Sequence, residues 1–345
     1  MHWTVAAPFI DSLNLHDSAW LTPYVPDNRH QFTIVPRCKP LQNWHDRKSS
    51  VTEFSDWLPY WQQGIETVQQ TKGGVIVMFP QLAATVGLLQ QLARRPFPVV
   101  AWAFNIGTCS RGLRQWMARL SLRRIDRFVV HTQRERQIYS EWLGLPIDRF
   151  EFVPYQVPEI PVMHSENTDH PFILSLGSAH RDFSTLFAAV EQLNLATVVA
   201  SGPRALEGLS IPSQVKTPFG IHKQDCWRLA QEARINVVPL LPNSGATAAG
   251  QVTIVEAMRM KRAIIATRCN GAEDYIQHGK TGLLIEPHSV TAMVEAIQLL
   301  WNDAALRQRL GEAASRYAAD HFSDEAAGMA LNRVLNKVAD QAGLD

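Results

Sequence analysis

Apolar residues along this chain fall into short runs nearly free of charge rather than into a polar–apolar alternation. In the first half such runs stand at 3–9, 32–35, 75–79, 99–104, 128–131 and 150–153, and they are rich in Val, Ile and Phe. Strands buried on both faces have this composition, so parallel pairing is expected rather than half-solvated antiparallel pairing. Helical periodicity fills the spaces near 57–71, 82–95, 110–124 and 133–143. Strand–helix alternation of this kind predicts an α/β fold, a parallel sheet with helices on both faces. Pro154, Pro158 and Pro161, followed by the polar run 164–170, then interrupt the pattern as a linker would. Beyond it the alternation restarts, with strands expected at 172–176, 197–200, 215–217, 236–240, 263–267 and 283–285, and helical sequence to the end. The reading is therefore two Rossmann-like, doubly wound domains, 1–158 and 171–322, joined by a linker at 159–170 and facing a cleft. The last segment, 323–345, is expected to be a helix packing back on the first domain. A length of 345 residues suits two cores better than one.

Composition narrows the function classes. Hydrophobic residues at 46% and charged residues at 19% describe a globular chain, not a disordered one. The formal charge of +1 supplies no global attraction to nucleic acid, and no nucleic-acid partner is expected. Cys38, Cys109, Cys226 and Cys269 form no CxxC pair, which excludes a zinc ribbon and points away from a disulfide framework. A reducing, cytoplasmic setting is the expectation. The first residues lack the basic and apolar regions of a signal peptide, and no apolar stretch reaches the roughly 18 residues of a membrane span.

Candidate chemistry concentrates in the second half. The strand at 236–240 runs into a loop of small residues, including Ser244, Gly245, Ala249 and Gly250, and a helix begins near Gln251 and Val252. Small residues let a ligand approach the backbone, and a helix N-terminus offers free N–H groups and positive dipole, which suits a diphosphate. Glu256, in the second turn, has the two acceptors that vicinal ribose hydroxyls require; it also fits an ordinary acid on a helix surface. The same segment carries Pro239, Glu256-Ala257-Met258, a strand ending Ala266-Thr267, Asn270-Gly271-Ala272 and Gly279-Lys280-Thr281-Gly282-Leu283-Leu284. In this order, these elements resemble the donor-binding region of GT-B glycosyltransferases, in particular glycosyltransferase family 4, the group 1 glycosyl transferases.

The resemblance covers 125–325 well and 1–125 weakly. It implies a GT-B fold with the nucleotide-sugar donor on the second domain and the acceptor on the first. The implied activity is transfer from a nucleoside diphosphate sugar, with retention of configuration, to a glycan or lipid-linked acceptor, as in polysaccharide biosynthesis. Glu256 matches the family glutamate at the ribose. Gly177 and Ser178 stand in the family's Gly-Arg segment, with Arg181 where a lysine usually supplies charge to the diphosphate. A guanidinium there suits bidentate phosphate recognition, and Arg204 is a second candidate cation, Lys223 a weaker one. Ala248 replaces a glutamate often found eight residues before Glu256, which leaves the sugar open. Asp11 and Asn105, at predicted strand ends of the first domain, are the acceptor-side candidates. No cofactor or metal is required by this scheme. A nucleotide-sugar epimerase on the same fold and a non-catalytic nucleotide-sugar binding module are the alternatives.

The stretch 111–127 stands apart. Leu113, Trp116, Met117 and Leu120 recur at helical spacing among Arg111, Arg114, Arg119, Arg123 and Arg124. Such a helix either docks its apolar stripe on the sheet or lies on an anionic membrane as a peripheral contact on its inner face.

Overall fold

The computed structural model describes residues 1–11, 20–26, 28–37, 54–242 and 248–343. The chain divides into two compact units: Met1–Val153 with Ala327–Asp345, and Pro154–Ala326.

In the first unit the elements follow as β1 (His2–Asp11), β2 (Gln31–Arg37), α1 (Phe54–Gln70), β3 (Gly74–Met78), α2 (Phe79–Leu92), β4 (Val99–Trp102), α3 (Leu113–Leu122), β5 (Arg127–Val130), α4 (Gln133–Leu143) and β6 (Phe150–Phe152). They form a six-stranded parallel sheet in the order β2-β1-β3-β4-β5-β6. Val75, Ile76, Val77, Val99, Val100 and Ala101 are fully buried, as the charge-free runs require. One face of the sheet is covered by Leu82, Val86, Leu122, Tyr139 and their neighbours. On the other, Val5, Ile76 and Val129 meet Leu331, Val334 and Leu335 from the terminal helix.

The second unit continues with β7 (Ile173–Leu176), α5 (Phe183–Leu193), β8 (Thr197–Ala200), β9 (Val215–Lys216), α6 (Lys223–Glu232), β10 (Ile235–Val238), α7 (Gln251–Arg259), β11 (Ile264–Thr267), β12 (Leu283–Ile285), α8 (Val290–Asn302), α9 (Ala304–His321) and α10 (Asp324–Ala342), the body of which belongs to the first unit. Its sheet runs β12-β11-β10-β7-β8-β9, again six strands and parallel throughout. The chain therefore starts in the middle, builds outward to β9, and returns to the other side of β7 at β10. The direction reverses between β7 and β10, and a doubly wound sheet leaves a crevice at the carboxyl ends of such strands. Helix starts are fixed by short polar side chains: Thr132 Oγ1 accepts from Glu135 N–H at 3.3 Å on α4, and Asp182 Oδ1 from Thr185 N–H at 3.1 Å on α5.

The segment 159–170, expected as a linker, is fastened to the second unit. Ile160 is buried in that unit's core, and Met163 and His164 N–H both donate to Gln231 Oε1. Glu166 accepts from Arg234 at 2.7 Å and from Arg307 at 3.1 Å. Among the described residues, no helix is long and apolar enough to cross a membrane.

Candidate nucleotide site on the second unit

The loops that leave β7 and β10 are tied together at the switch point. Gly177 ends β7 with φ +92°, a left-handed conformation that a side chain resists, and its N–H donates to Ala200 O at 3.0 Å. After this turn Leu241 N–H reaches His180 O and Asp182 N–H reaches Pro239 O, both at 2.9 Å. Arg181 lies between these strands of loop and is only 8% exposed. Its Nε and Nη2 donate to Leu176 O at 3.2 and 3.1 Å, Nη1 to Ala179 O at 2.7 Å, and Nη2 to Thr253 Oγ1 at 3.3 Å. These bonds engage every guanidinium N–H but one on Nη1. A Cβ on Gly177 would come within 2.6 Å of Nη2, and one on Gly250 within 3.5 Å of Nη1, so two glycines make room for the cation.

Among the described residues no carboxylate pairs with Arg181. Burial lowers its pKa to about 10, which leaves it charged at neutral pH and short of compensation. Beside it Gly250, at φ +89°, opens α7, and the first helical bond runs from Ile254 N–H to Gly250 O at 3.0 Å. The N–H groups of Gln251, Val252 and Thr253 thus have no carbonyl within the helix to meet. A buried cation and the positive end of a helix converge on one place, which favours an anion.

Gln251 spends its side chain as a brace. Its Nε2 donates to Asn270 O at 2.7 Å while Asn270 Nδ2 donates to Leu241 O at 2.8 Å, which locks the loop after β11 to that after β10. Val252 is exposed and Ala249 buried. Ser178 Oγ accepts from Gly202 N–H at 2.6 Å and links the loops after β7 and β8. Arg204 is exposed on the short turn Pro203–Leu206 that follows. Ser244 and Gly245 lie outside the described residues.

Glu256 sits in the second turn of α7, on the row that also holds Gly250 and Thr253. Its Oε1 accepts from Trp227 Nε1 at 3.1 Å and lies 3.6 Å from Lys223 Nζ, which itself stands 4.8 Å over the Trp227 ring. Lys223, read as a weaker phosphate cation, is therefore committed to Glu256. Burial, and secondly the Glu256 charge, raise the pKa of the nearby Tyr155 hydroxyl. A carboxylate acceptor beside an indole is an arrangement that suits a hydroxylated, planar ligand. Sequence reasoning missed Thr253 and Trp227. The spacing 250, 253, 256 on one helix and 223, 227 on another carried the signal.

The acceptor-side candidates belong to the first unit. Asp11 closes β1, and Asn105 follows β4, where its Oδ1 accepts from Gly107 N–H at 3.0 Å. That loop is anchored from below. Ile106 N–H donates to Tyr139 Oη at 3.0 Å, and Tyr139 Oη donates to Glu135 Oε1 at 3.2 Å. Glu135 Oε2 in turn accepts from His131 N–H at 3.0 Å and from Thr132 Oγ1 at 3.1 Å. His131 is buried and donates from Nδ1 to Val153 O at 2.8 Å; desolvation lowers its pKa to about 4, so it is neutral. Burial, then Glu135, pushes the Cys109 thiol up to about 11 and leaves it no thiolate at neutral pH.

Residues 172–303 match the family model of the glycosyl transferases group 1. That match lies wholly within the second unit. Its segment holds the whole cluster built around Arg181, α7 and Glu256. Among curated proteins, the chain is 32% identical over 87 residues to an alpha-D-kanosaminyltransferase of Streptomyces kanamyceticus, an overlap of 25% of this chain and 22% of that protein. It is 25% identical over 200 residues to O-antigen chain mannosyltransferase C of Escherichia coli, 51% of this chain and 53% of the other. The chain thus spans between about a fifth and about a half of the length of these relatives. Solved structures extend the likeness across both units. A sucrose-phosphate synthase of Thermosynechococcus elongatus superposes with a TM-score of 0.71 at 15% identity, over 99% of this chain and 100% of that one. Anabaena HepE, solved in complex with UDP, gives 0.70 at 13% identity over 98% and 100%. The two parallel sheets are those of the GT-B fold.

Proposed function

We propose that this GT-B chain is a glycosyltransferase that moves a sugar from a nucleoside diphosphate donor to a glycan or lipid-linked acceptor, with retention of configuration. The observation that carries the reading is the Arg181 guanidinium, buried at the switch point with no carboxylate partner among the described residues and facing the N-terminus of α7. A diphosphate there would receive the Nη1 hydrogen and the first-turn N–H groups. Glu256 lies about one and a half turns further along the helix, and a helix rises about 5.4 Å per turn, a spacing that suits a ribose joined to that diphosphate. Lys223 and Trp227 then border the nucleoside.

Breaking the bond between the anomeric carbon and the diphosphate oxygen leaves its electron pair on the phosphate. Arg181 and the α7 N–H groups are fixed before the reaction, so they meet that developing charge without reorganising. In this scheme the acceptor hydroxyl loses its proton to the departing phosphate, and no metal is called for. The similarity to group 1 relatives named as sugar transferases supports the reading, as does the likeness to a structure solved with UDP.

The test is titration of UDP, GDP and ADP into the wild type and into Glu256→Gln, followed by transfer from the sugar conjugate of whichever base binds. One base is expected to bind. The variant should hold it about tenfold more weakly, the loss of one charge-assisted bond. Absence of binding by all three would overturn the donor site. Binding with neither transfer nor slow donor hydrolysis would make the chain a binding module.

A further inference from the structure

The arginine-rich helix α3 is docked the opposite way from the arrangement in which its apolar stripe packs on the sheet. Its inner face carries Ala118 and Leu122, which join the core of the first unit, and Gln115, whose Nε2 donates to Trp142 O at 2.8 Å. Gly87 of α2 meets the backbone at Ser121 so closely that a Cβ there would lie 2.2 Å from the carbonyl oxygen. This close approach turns the large side chains outward. Leu113 is 71% exposed, Trp116 61% and Met117 56%. They stand at i, i+3 and i+4, one continuous apolar ridge.

Charge surrounds the ridge. No Asp or Glu occurs between Glu66 and Asp126, whereas eight Lys and Arg do, so within a chain of net charge +1 this stretch is strongly basic. By helical periodicity Arg114 flanks the ridge on one side and Arg119 and Arg123 on the other, with Arg111 and Arg124 at the ends. Arg119 and Arg123 are steadied by Trp142 O at 2.9 Å and Gln91 Oε1 at 2.6 Å.

We propose that this face of α3 is a seat for an anionic lipid surface. Leu113, Trp116 and Met117 enter the interfacial layer, and the arginines meet the headgroup phosphates. An apolar centre ringed by cations is the pattern of a helix lying in the interface plane, and the amphipathic ring of Trp116 suits that depth. A nucleic-acid groove would use the arginines but give no place to Leu113 and Met117. A second copy of the helix would bring like charges together.

The test is sedimentation of the full chain with vesicles, which needs neither donor nor acceptor and so stands apart from the nucleotide reading. The wild type should pellet with phosphatidylcholine vesicles containing phosphatidylglycerol and not with phosphatidylcholine alone. Arg111→Gln/Arg114→Gln/Arg124→Gln, at side chains with no hydrogen bond or ion pair among the described residues, should weaken partitioning about a hundredfold. Leu113→Ser/Trp116→Ser/Met117→Ser should weaken it at least tenfold while its melting curve stays that of the wild type. The proposal falls if the wild type ignores the phosphatidylglycerol vesicles or if the serine variant binds them as tightly as the wild type. Displacement of the wild type from the vesicles by a short DNA duplex would equally overturn it in favour of a nucleic-acid partner.

Discussion

The two units use one architecture and present their chemistry in opposite ways. In the second, the loops after β7 and β10 hold a cation inward, with Arg181 spending most of its donors on the backbone of its own loop. In the first, the buried polar network of His131, Thr132, Glu135 and Tyr139 is neutral at His131 and supports a loop whose Asn105 faces solvent. On the function proposed above, a diphosphate would be met by backbone N–H groups and one fixed charge, and an acceptor that differs from one enzyme to the next by exposed side chains on a braced loop.

Removing the inward cation should show the largest effect. Arg181→Ala is expected to lower nucleoside diphosphate affinity by about a hundredfold, because it deletes the fixed charge and frees the loop after β7. Arg181→Lys should recover part of that loss without the Thr253 bond. Calorimetric titration of both variants checks this; equal affinity in all three proteins would remove Arg181 from the site.

The corresponding break in the first unit is Glu135→Ala. It removes the acceptor of the His131 N–H, the Thr132 hydroxyl and the Tyr139 hydroxyl, at a cost of about 3 kcal/mol by denaturant unfolding. Nucleotide affinity should stay at the wild-type level, since that carboxylate belongs to the first unit.

His131 gives a pH signature to the same region. Its folded pKa of about 4 lies below the ordinary 6.5, so between those values the unfolded chain binds a proton that the folded chain refuses. Stability is therefore lost as pH falls from 6.5 to 4, by up to about 3 kcal/mol in all, and levels off below. His131→Gln keeps a donor for Val153 O and should flatten that part of the profile relative to the wild type. Parallel profiles would refute the assignment. Glu256→Gln, with its tenfold effect on affinity alone, is the smallest of these changes.

Much of this was legible along the chain. The charge-free runs marked the strands because a strand covered on both faces has no room for a polar side. The run from Pro239 to Leu284 marked the loops of the candidate site because small residues and a helix start are local requirements for holding an anion. The orientation of Arg181 was not legible. Its sequence position suits a surface cation as well as a buried one, and only the packing of Gly177 and Gly250 around it settles which. Thr253 and Trp227 were hidden for a similar reason: their partners lie 72 and 29 residues away along the chain.

What the sequence determined by itself is the set of local commitments: parallel α/β layering, the helix that begins at Gln251 with Glu256 in its second turn, and a helix rich in arginine. Tertiary structure decided which side of each element faces inward. Helical periodicity places Leu113, Trp116 and Met117 on one stripe but does not say whether that stripe meets protein. The close approach permitted by Gly87 at Ser121 gave the inner position to Ala118, Ser121 and Leu122 and left Leu113, Trp116 and Met117 outside. Periodicity is a property of one segment, whereas burial depends on how nearly two backbones can touch.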